Sequence, residues 1–213
     1  MSSGEIVIVS GFSGVGKGTV IRELLSRHKE FTFSVSATTR APREGEQDGK
    51  DYFFISREEF EKWIREDRFL EYARYVDNSY GTPRDYVQKR QDEGFHVILD
   101  IEIQGALRVK ELCPDARMVF LIPPSAEALH RRIAGRGTET KESIRKRLSR
   151  AIEEADYVHL YDNIIINDSL TDCVEALRDA ATRLGSVAGD RLAMLRLGED
   201  IKNDLIQIVK GEM

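Results

Sequence analysis

Short apolar runs alternate along the chain with longer stretches whose apolar positions recur every three or four residues. The runs are Ile6 to Val9, Phe31 to Val35, Val97 to Ile101, Val119 to Ile122 and Ile164 to Ile166, and each has the length and bounding residues of a strand. Four of the five are followed by a helical pattern, near 17–28, 104–112, 125–134 and 170–184. Strands this apolar need cover on both faces, and a helix after each strand supplies it. The pattern therefore predicts an α/β fold, a three-layer core around a parallel sheet.

Two stretches break the rhythm. From about Ala37 to Gly94 no crossover helix follows the second strand, so this part reads as an inserted subdomain. In it TTRAPREGEQDGKD is a polar loop, DYFFIS and FLEYARY are short strands, and Thr82-Pro83 is a cap and first turn for a helix reaching about Glu93. The second break, Arg131 to Arg150, holds six arginines and two lysines against two glutamates, a net +6 inside a chain of net −5. Such a run is a solvated helical face unless an anionic ligand lies close. Beyond Gly185 the pattern Leu192, Leu195, Leu197, Ile201, Leu205, Ile208 predicts an amphipathic helix packing on its own core.

The 213 residues, 41% hydrophobic, are enough for one substantial core, which excludes a disordered tail, a collagen-like repeat or a disulfide-built miniprotein. With 32 basic against 37 acidic residues the chain is not expected to be a general nucleic-acid binder. Cys113 and Cys173 have no partner at metal-ligand spacing and read as reduced, buried thiols. There is no apolar stretch of membrane-spanning length and no basic region before the first apolar run, so a cytoplasmic protein is expected.

The strongest chemical signal is GFSGVGKGT, Gly11 to Thr19, between a strand and a helical run. Gly11, Gly14 and Gly16 let successive amides of this loop, including those of Phe12, Ser13 and Val15, turn toward one point. The helix start adds partial positive charge, and Lys17 reaches for β- and γ-phosphates. The residue after the lysine is usually a Mg²⁺-binding Ser or Thr; here it is Gly18, and Thr19 follows. HVILDIEIQGA ends an apolar strand in Asp100 and continues to Glu102, two carboxylates that an extended strand would turn to one face. Asp100 is placed to orient Mg²⁺-bound water. Arg40, Arg43, Tyr52 and Tyr80 in the insertion are the donors expected around a second, smaller phosphate. Arg136 and Arg147 in the basic segment are cations able to close over a transferring phosphoryl group.

Taken in order, IVIVSGFSGVGKGT, SVSATTRAPREGEQDGKDYFF, FLEYARY, SYGTP, ILDIEIQGA, LIPPS, RRIAGRGTET with IRKRL, and NIIIND resemble guanylate kinase over roughly residues 5–185. The resemblance implies a P-loop core (1–36, 94–130 and 158–213), a GMP-binding subdomain (37–93), a lid (131–157), and transfer of the ATP γ-phosphoryl group to GMP with Mg²⁺. It implies that Arg40, Arg43, Tyr52 and Tyr80 hold the GMP phosphate, and that Ser36, Glu71, Gly81, Thr82 and Glu102 surround guanine. Glu71 would be the principal reader, since one carboxylate can accept the adjacent N1 and N2 hydrogens of guanine. Lys17, Arg136 and Arg147 match positions that stabilise the transferring group, and Asn167 with Asp168 match those near the ATP base. Phe12, Gly18, Ser79 and Glu102 depart from the commoner residues, which are proline, a hydroxyl residue, tyrosine and aspartate. Two alternatives stay open from sequence: a non-catalytic scaffold of the same fold, and a kinase for another nucleoside monophosphate. Oligomeric state is undecided.

Overall fold

The computed structural model describes residues 4–75, 77–135, 140–182 and 191–211. In chain order the elements are β1 (Ile6–Gly11), α1 (Lys17–Arg27), β2 (Phe31–Phe33), β3 (Ala37–Thr38), β4 (Phe53–Phe54), α2 (Arg57–Arg65), β5 (Phe69–Tyr75), β6 (Asn78–Pro83) and α3 (Arg84–Asp92). Then come β7 (His96–Asp100), α4 (Ile103–Leu112), β8 (Arg117–Ile122), α5 (Ala126–Ala134), α6 (Lys141–Ala155), one turn of 3-10 helix (Val158–Leu160), β9 (Asn163–Ile166), α7 (Leu170–Thr182) and α8 (Arg191–Gly211). Strands β2, β7, β1, β8 and β9 lie in that order in one five-stranded sheet, and its outer pairs run parallel. The α/β core expected from the alternation of runs is present. In β1 and β8 the apolar residues are buried whichever way they point, the signature of a sheet covered on both faces.

The chain divides into two compact units, Met1–Ile8 with His28–Ala116, and Val9–Arg27 with Arg117–Met213. In the first unit β2 pairs with β7, Phe31 opposite His96. A second, four-stranded sheet runs β4-β3-β6-β5, with Glu71 of β5 opposite Thr82 of β6. Its small core is Ala37, Phe60 and Phe69, joined by Phe53, Ile55, Trp63 and Ile64. Helix α2, which no sequence expectation covered, supplies three of these. Its start is fixed by the Ser56 hydroxyl accepting the Glu59 N–H at 3.1 Å.

In the second unit β8 pairs with β9, Val119 opposite Asn163, and α1 packs on α7. Helix α8 packs on α6, α5 and β9, as the tail pattern predicted, burying Ile201 and Leu205, although Leu192 is exposed rather than packed. Polar staples reinforce it. The Arg191 guanidinium donates to the carbonyls of Tyr161 at 2.6 Å and His159 at 2.8 Å, and the Lys202 ammonium meets Asp156 Oδ1 at 2.6 Å.

Three local expectations are corrected. Strand β7 ends at Asp100, and Glu102 is the N-cap of α4, so the two carboxylates do not share a strand face. Thr82 is not a helix cap but a β6 residue whose hydroxyl is engaged by Glu71; Pro83 takes the N-cap position of α3. Of the thiols only Cys173 is buried, its pKa pushed up to about 12 by that burial, while Cys113 is half-buried. Among the described residues no helix is long and apolar enough to cross a membrane.

Candidate functional site

The glycine loop between β1 and α1 belongs to the second unit, and its shape follows from its glycines. Gly14 and Gly16 have φ of +93° and +100°, which side-chain-bearing residues rarely adopt. A Cβ on Gly14 would stand 2.4 Å from the Ile133 side chain of α5, and one on Gly11 would stand 2.7 Å from the Leu121 carbonyl oxygen of β8. The loop is then fastened from several sides. Phe12 donates its N–H to Leu121 O at 3.2 Å and buries its ring edge-on against Phe120. The Val15 carbonyl accepts from Asn167 Nδ2 at 2.8 Å and from Arg132 Nη1 at 3.2 Å. Contrary to expectation, the Phe12, Ser13 and Val15 amides are spent on Leu121 O, Glu154 Oε2 and Phe12 O, so the loop amides able to serve an anion are those of Gly14, Gly16 and Gly18. Lys17 opens α1, where the helix start adds positive potential.

Asn167 is buried behind the loop, its amide spent on Val15, while Asp168 beside it is exposed. Gly18 and Thr19 are exposed in the first turn of α1, and a side chain at Gly18 would meet nothing within 4 Å. Arg147 sits half-buried on α6. Arg136 lies outside the described residues.

The first unit gathers a different donor set. The Arg40 guanidinium lies over the Tyr52 ring, 5.4 Å from its centroid, and within hydrogen-bonding reach of the Tyr80 phenol; the two phenol rings are 6.1 Å apart. Glu46, which was not anticipated, organises the loop: Oε1 accepts from Arg40 Nη2 at 2.8 Å and Oε2 from the Arg43 N–H at 2.7 Å. The bond to Glu46 is the main reason the Arg40 pKa is raised, and it lowers that of Glu46 in return. The signal for Glu46 was a carboxylate three residues after Arg43 in a glycine turn. Burial raises the Tyr52 pKa, and the nearby Tyr80, Glu46 and Asp100 raise it further against the pull of Arg40. The Arg43 side chain is exposed.

A few residues along β5 and β6, Glu71 is largely buried and accepts the Thr82 hydroxyl proton at 2.6 Å. Burial holds its carboxyl above the usual carboxylate range, partly offset by the Thr82 bonds. Its other oxygen stands 2.8 Å from where a Cβ on Gly105 would be, so the glycine in α4 makes room for it. Gly81 is pressed on the Phe69 ring, where a Cβ would come within 2.8 Å. Ser36 is half-buried and its carbonyl accepts the Phe53 N–H, while Glu102 is exposed at the start of α4. Thus Arg40, Tyr52 and Tyr80 form one cluster, Glu71 and Thr82 a second.

A family model described as guanylate kinase matches residues 3–184. Among curated proteins the chain is similar to the guanylate kinase of Caldanaerobacter subterraneus subsp. tengcongensis, 50% identical over 82% of this chain and 85% of that one. It is 51% identical to the guanylate kinase of Clostridium tetani over 84% of this chain and 85% of that one. Among solved structures, guanylate kinase from Anaplasma phagocytophilum superposes with a TM-score of 0.64 at 32% identity, covering 86% of this chain and 89% of that one.

Proposed function

The chain belongs to the guanylate kinase family and is an ATP:GMP phosphotransferase, and from that premise we propose which of its residues do the work. The loop Gly11, Phe12, Ser13, Gly14, Val15, Gly16, Lys17, Gly18 and Thr19 cradles the ATP phosphates, with Asn167 fixing the loop as well as bordering the nucleotide. The Arg40, Tyr52, Tyr80 cluster and Arg43 hold the GMP phosphate, and Ser36, Glu71, Gly81, Thr82 and Glu102 surround guanine. The observation that carries the reading is the loop itself, with two glycines at positive φ and the Val15 carbonyl fastened from behind.

The acceptor is already a phosphate anion, so no strong base is needed. The work is positioning and charge neutralisation. Lys17, Arg147 and Arg136 neutralise charge that spreads over the equatorial oxygens, and loop amides hold the β-phosphate of the leaving ADP. Glu71 accepts the N1 and N2 hydrogens of guanine, which adenine lacks in that arrangement. Residues 37–93 form the acceptor subdomain and 131–157 the lid, and their movement during turnover keeps water from accepting the phosphoryl group. Mg²⁺ carried by the nucleotide would supply charge neutralisation at the phosphates. Thr19 and Asp100 are each exposed, and each carries an oxygen suited to a Mg²⁺-bound water, while Gly18 leaves the usual hydroxyl ligand out. A cytoplasmic location, where ATP and GMP occur together, accords with these substrates.

The test is Mg²⁺-dependent ADP formation from ATP with GMP, dGMP, AMP, CMP and UMP in parallel, with Lys17→Ala as blank. Turnover confined to GMP and dGMP and lost in the blank is the expected result. No turnover in a folded protein that still binds GMP would convert the reading to a binding scaffold.

A further inference from the structure

Helix α6 ends in an anomaly. Its last turn holds Glu153 and Glu154 and no basic residue, although the carbonyl end of a helix repels carboxylates. Glu153 is exposed, but the Glu154 side chain is only 13% exposed, so it bears a desolvation cost as well. A carboxylate placed against both the helix dipole and burial needs a compensating partner. It has two: Oε2 accepts the Ser13 N–H at 2.6 Å, and Oε1 meets Arg150 Nε at 3.2 Å one turn back on α6. Burial raises its pKa, while the Ser13 amide, Arg150 and the Lys17 ammonium lower it. Ser13 lies inside the glycine loop, two residues before Val15.

We infer that Glu154 is a positioning residue for ATP: from α6 it holds the Ser13 amide and so helps set the shape of the phosphate loop. The inference rests on reading that loop as the ATP cradle. The Val15 carbonyl is tied down by Asn167 and Arg132, and the Ser13 amide by Glu154, so the Gly14 amide between them is framed on both sides, while the Val15 amide is spent on Phe12 O. The same helix carries Arg147, so a movement of the lid shifts the loop's support and a transfer cation together.

The experiment measures ADP affinity by calorimetry, and KM for ATP and for GMP, in the wild type, Glu154→Ala, Glu154→Gln and Lys17→Ala. Loss of a charge-assisted bond predicts that Glu154→Ala weakens ADP and raises KM for ATP by about tenfold to a hundredfold, with KM for GMP unchanged. Glu154→Gln keeps an oxygen for the Ser13 N–H and recovers most of the loss. Unchanged or tighter ADP binding in Glu154→Ala overturns the inference, since the carboxylate would then be a stand-in that phosphate displaces; equal losses for ATP and GMP overturn it too. Should Glu154→Ala melt too low to assay, Glu154→Gln is set against Glu154→Asp. The shorter Asp should bind ADP more weakly than Gln, and the reverse order refutes the role. Lys17→Ala separates the two claims: ADP binding untouched there would remove the loop reading itself.

Discussion

Glu71→Gln isolates the base reader with little disturbance of the fold. The Thr82 hydroxyl that donates at 2.6 Å still finds an oxygen, and the side chain keeps its length beside Gly105. What changes is the face toward guanine, where one acceptor becomes an N–H₂ group opposed to a donor. A hydrogen bond to a charged group contributes about 1.5–3 kcal/mol, and each 1.4 kcal/mol is tenfold, so kcat/KM for GMP should fall about 10- to 150-fold. The ATP KM should not move. Burial holds the Glu71 pKa above the usual carboxylate range, so the charged form is the one the fold disfavours. Stability from this group is therefore greatest below the ordinary carboxylate pKa and declines as pH rises through its elevated folded value. The neutral glutamine removes that decline, and the variant should melt at or above the wild-type temperature near neutral pH. Binding has the opposite slope. Guanine needs the carboxylate, so wild-type kcat/KM for GMP should climb through the elevated pKa, and this limb should be absent in Glu71→Gln. The assay is coupled ADP formation with each nucleotide varied against saturating partner across acid to neutral pH. Equal losses for ATP and GMP, or less than about a threefold loss for GMP, would refute the assignment.

Two further outcomes test the scaffold. Gly14→Ala must hold a φ of +93° and push a methyl into Ile133, so it should cost about 1–3 kcal/mol and lower Tm by about 2–12 °C by calorimetry; an unchanged Tm would mean the loop is less constrained than described. Leu205→Ala in α8 empties a fully buried site, for about 2–5 kcal/mol and a Tm lower by roughly 4–20 °C, although α8 lies beyond the 3–184 match; a separate, unchanged main transition would show that α8 is not part of the core.

Much of this is legible in the sequence itself. The strand runs announce themselves because strands buried on both faces must be apolar throughout, and the glycine loop because only glycine accepts its backbone. The Arg40, Tyr52 and Tyr80 cluster was legible only as an ordered set of motifs, since each residue alone is ordinary. Other features hid for physical reasons. Helix α2 shows its cap only at Ser56 and Glu59, and its apolar positions fill a small local core rather than the main sheet. Glu102 was misread because strand β7 stops at Asp100, and an end point depends on hydrogen bonds that periodicity does not record. Glu154 was passed over because a glutamate in a charged helix is usually solvated. Its place in the last turn, where a base is expected, was the available clue.

The loop's fastenings carry a consequence for how the protein is made. The groups that hold Val15 and Ser13 follow the loop by 117, 141 and 152 positions, at Arg132, Glu154 and Asn167. At about 5–20 residues per second the loop waits roughly 8–30 s for its last support. For the earlier part of that interval, until Ile122 is made, β1, all but its final residue destined for burial, has no β8 to lie beside. The ATP cradle is therefore completed only once Asn167 has been made, and a transcript truncated before β8 would yield a β1 strand exposed to aggregation rather than a weaker enzyme.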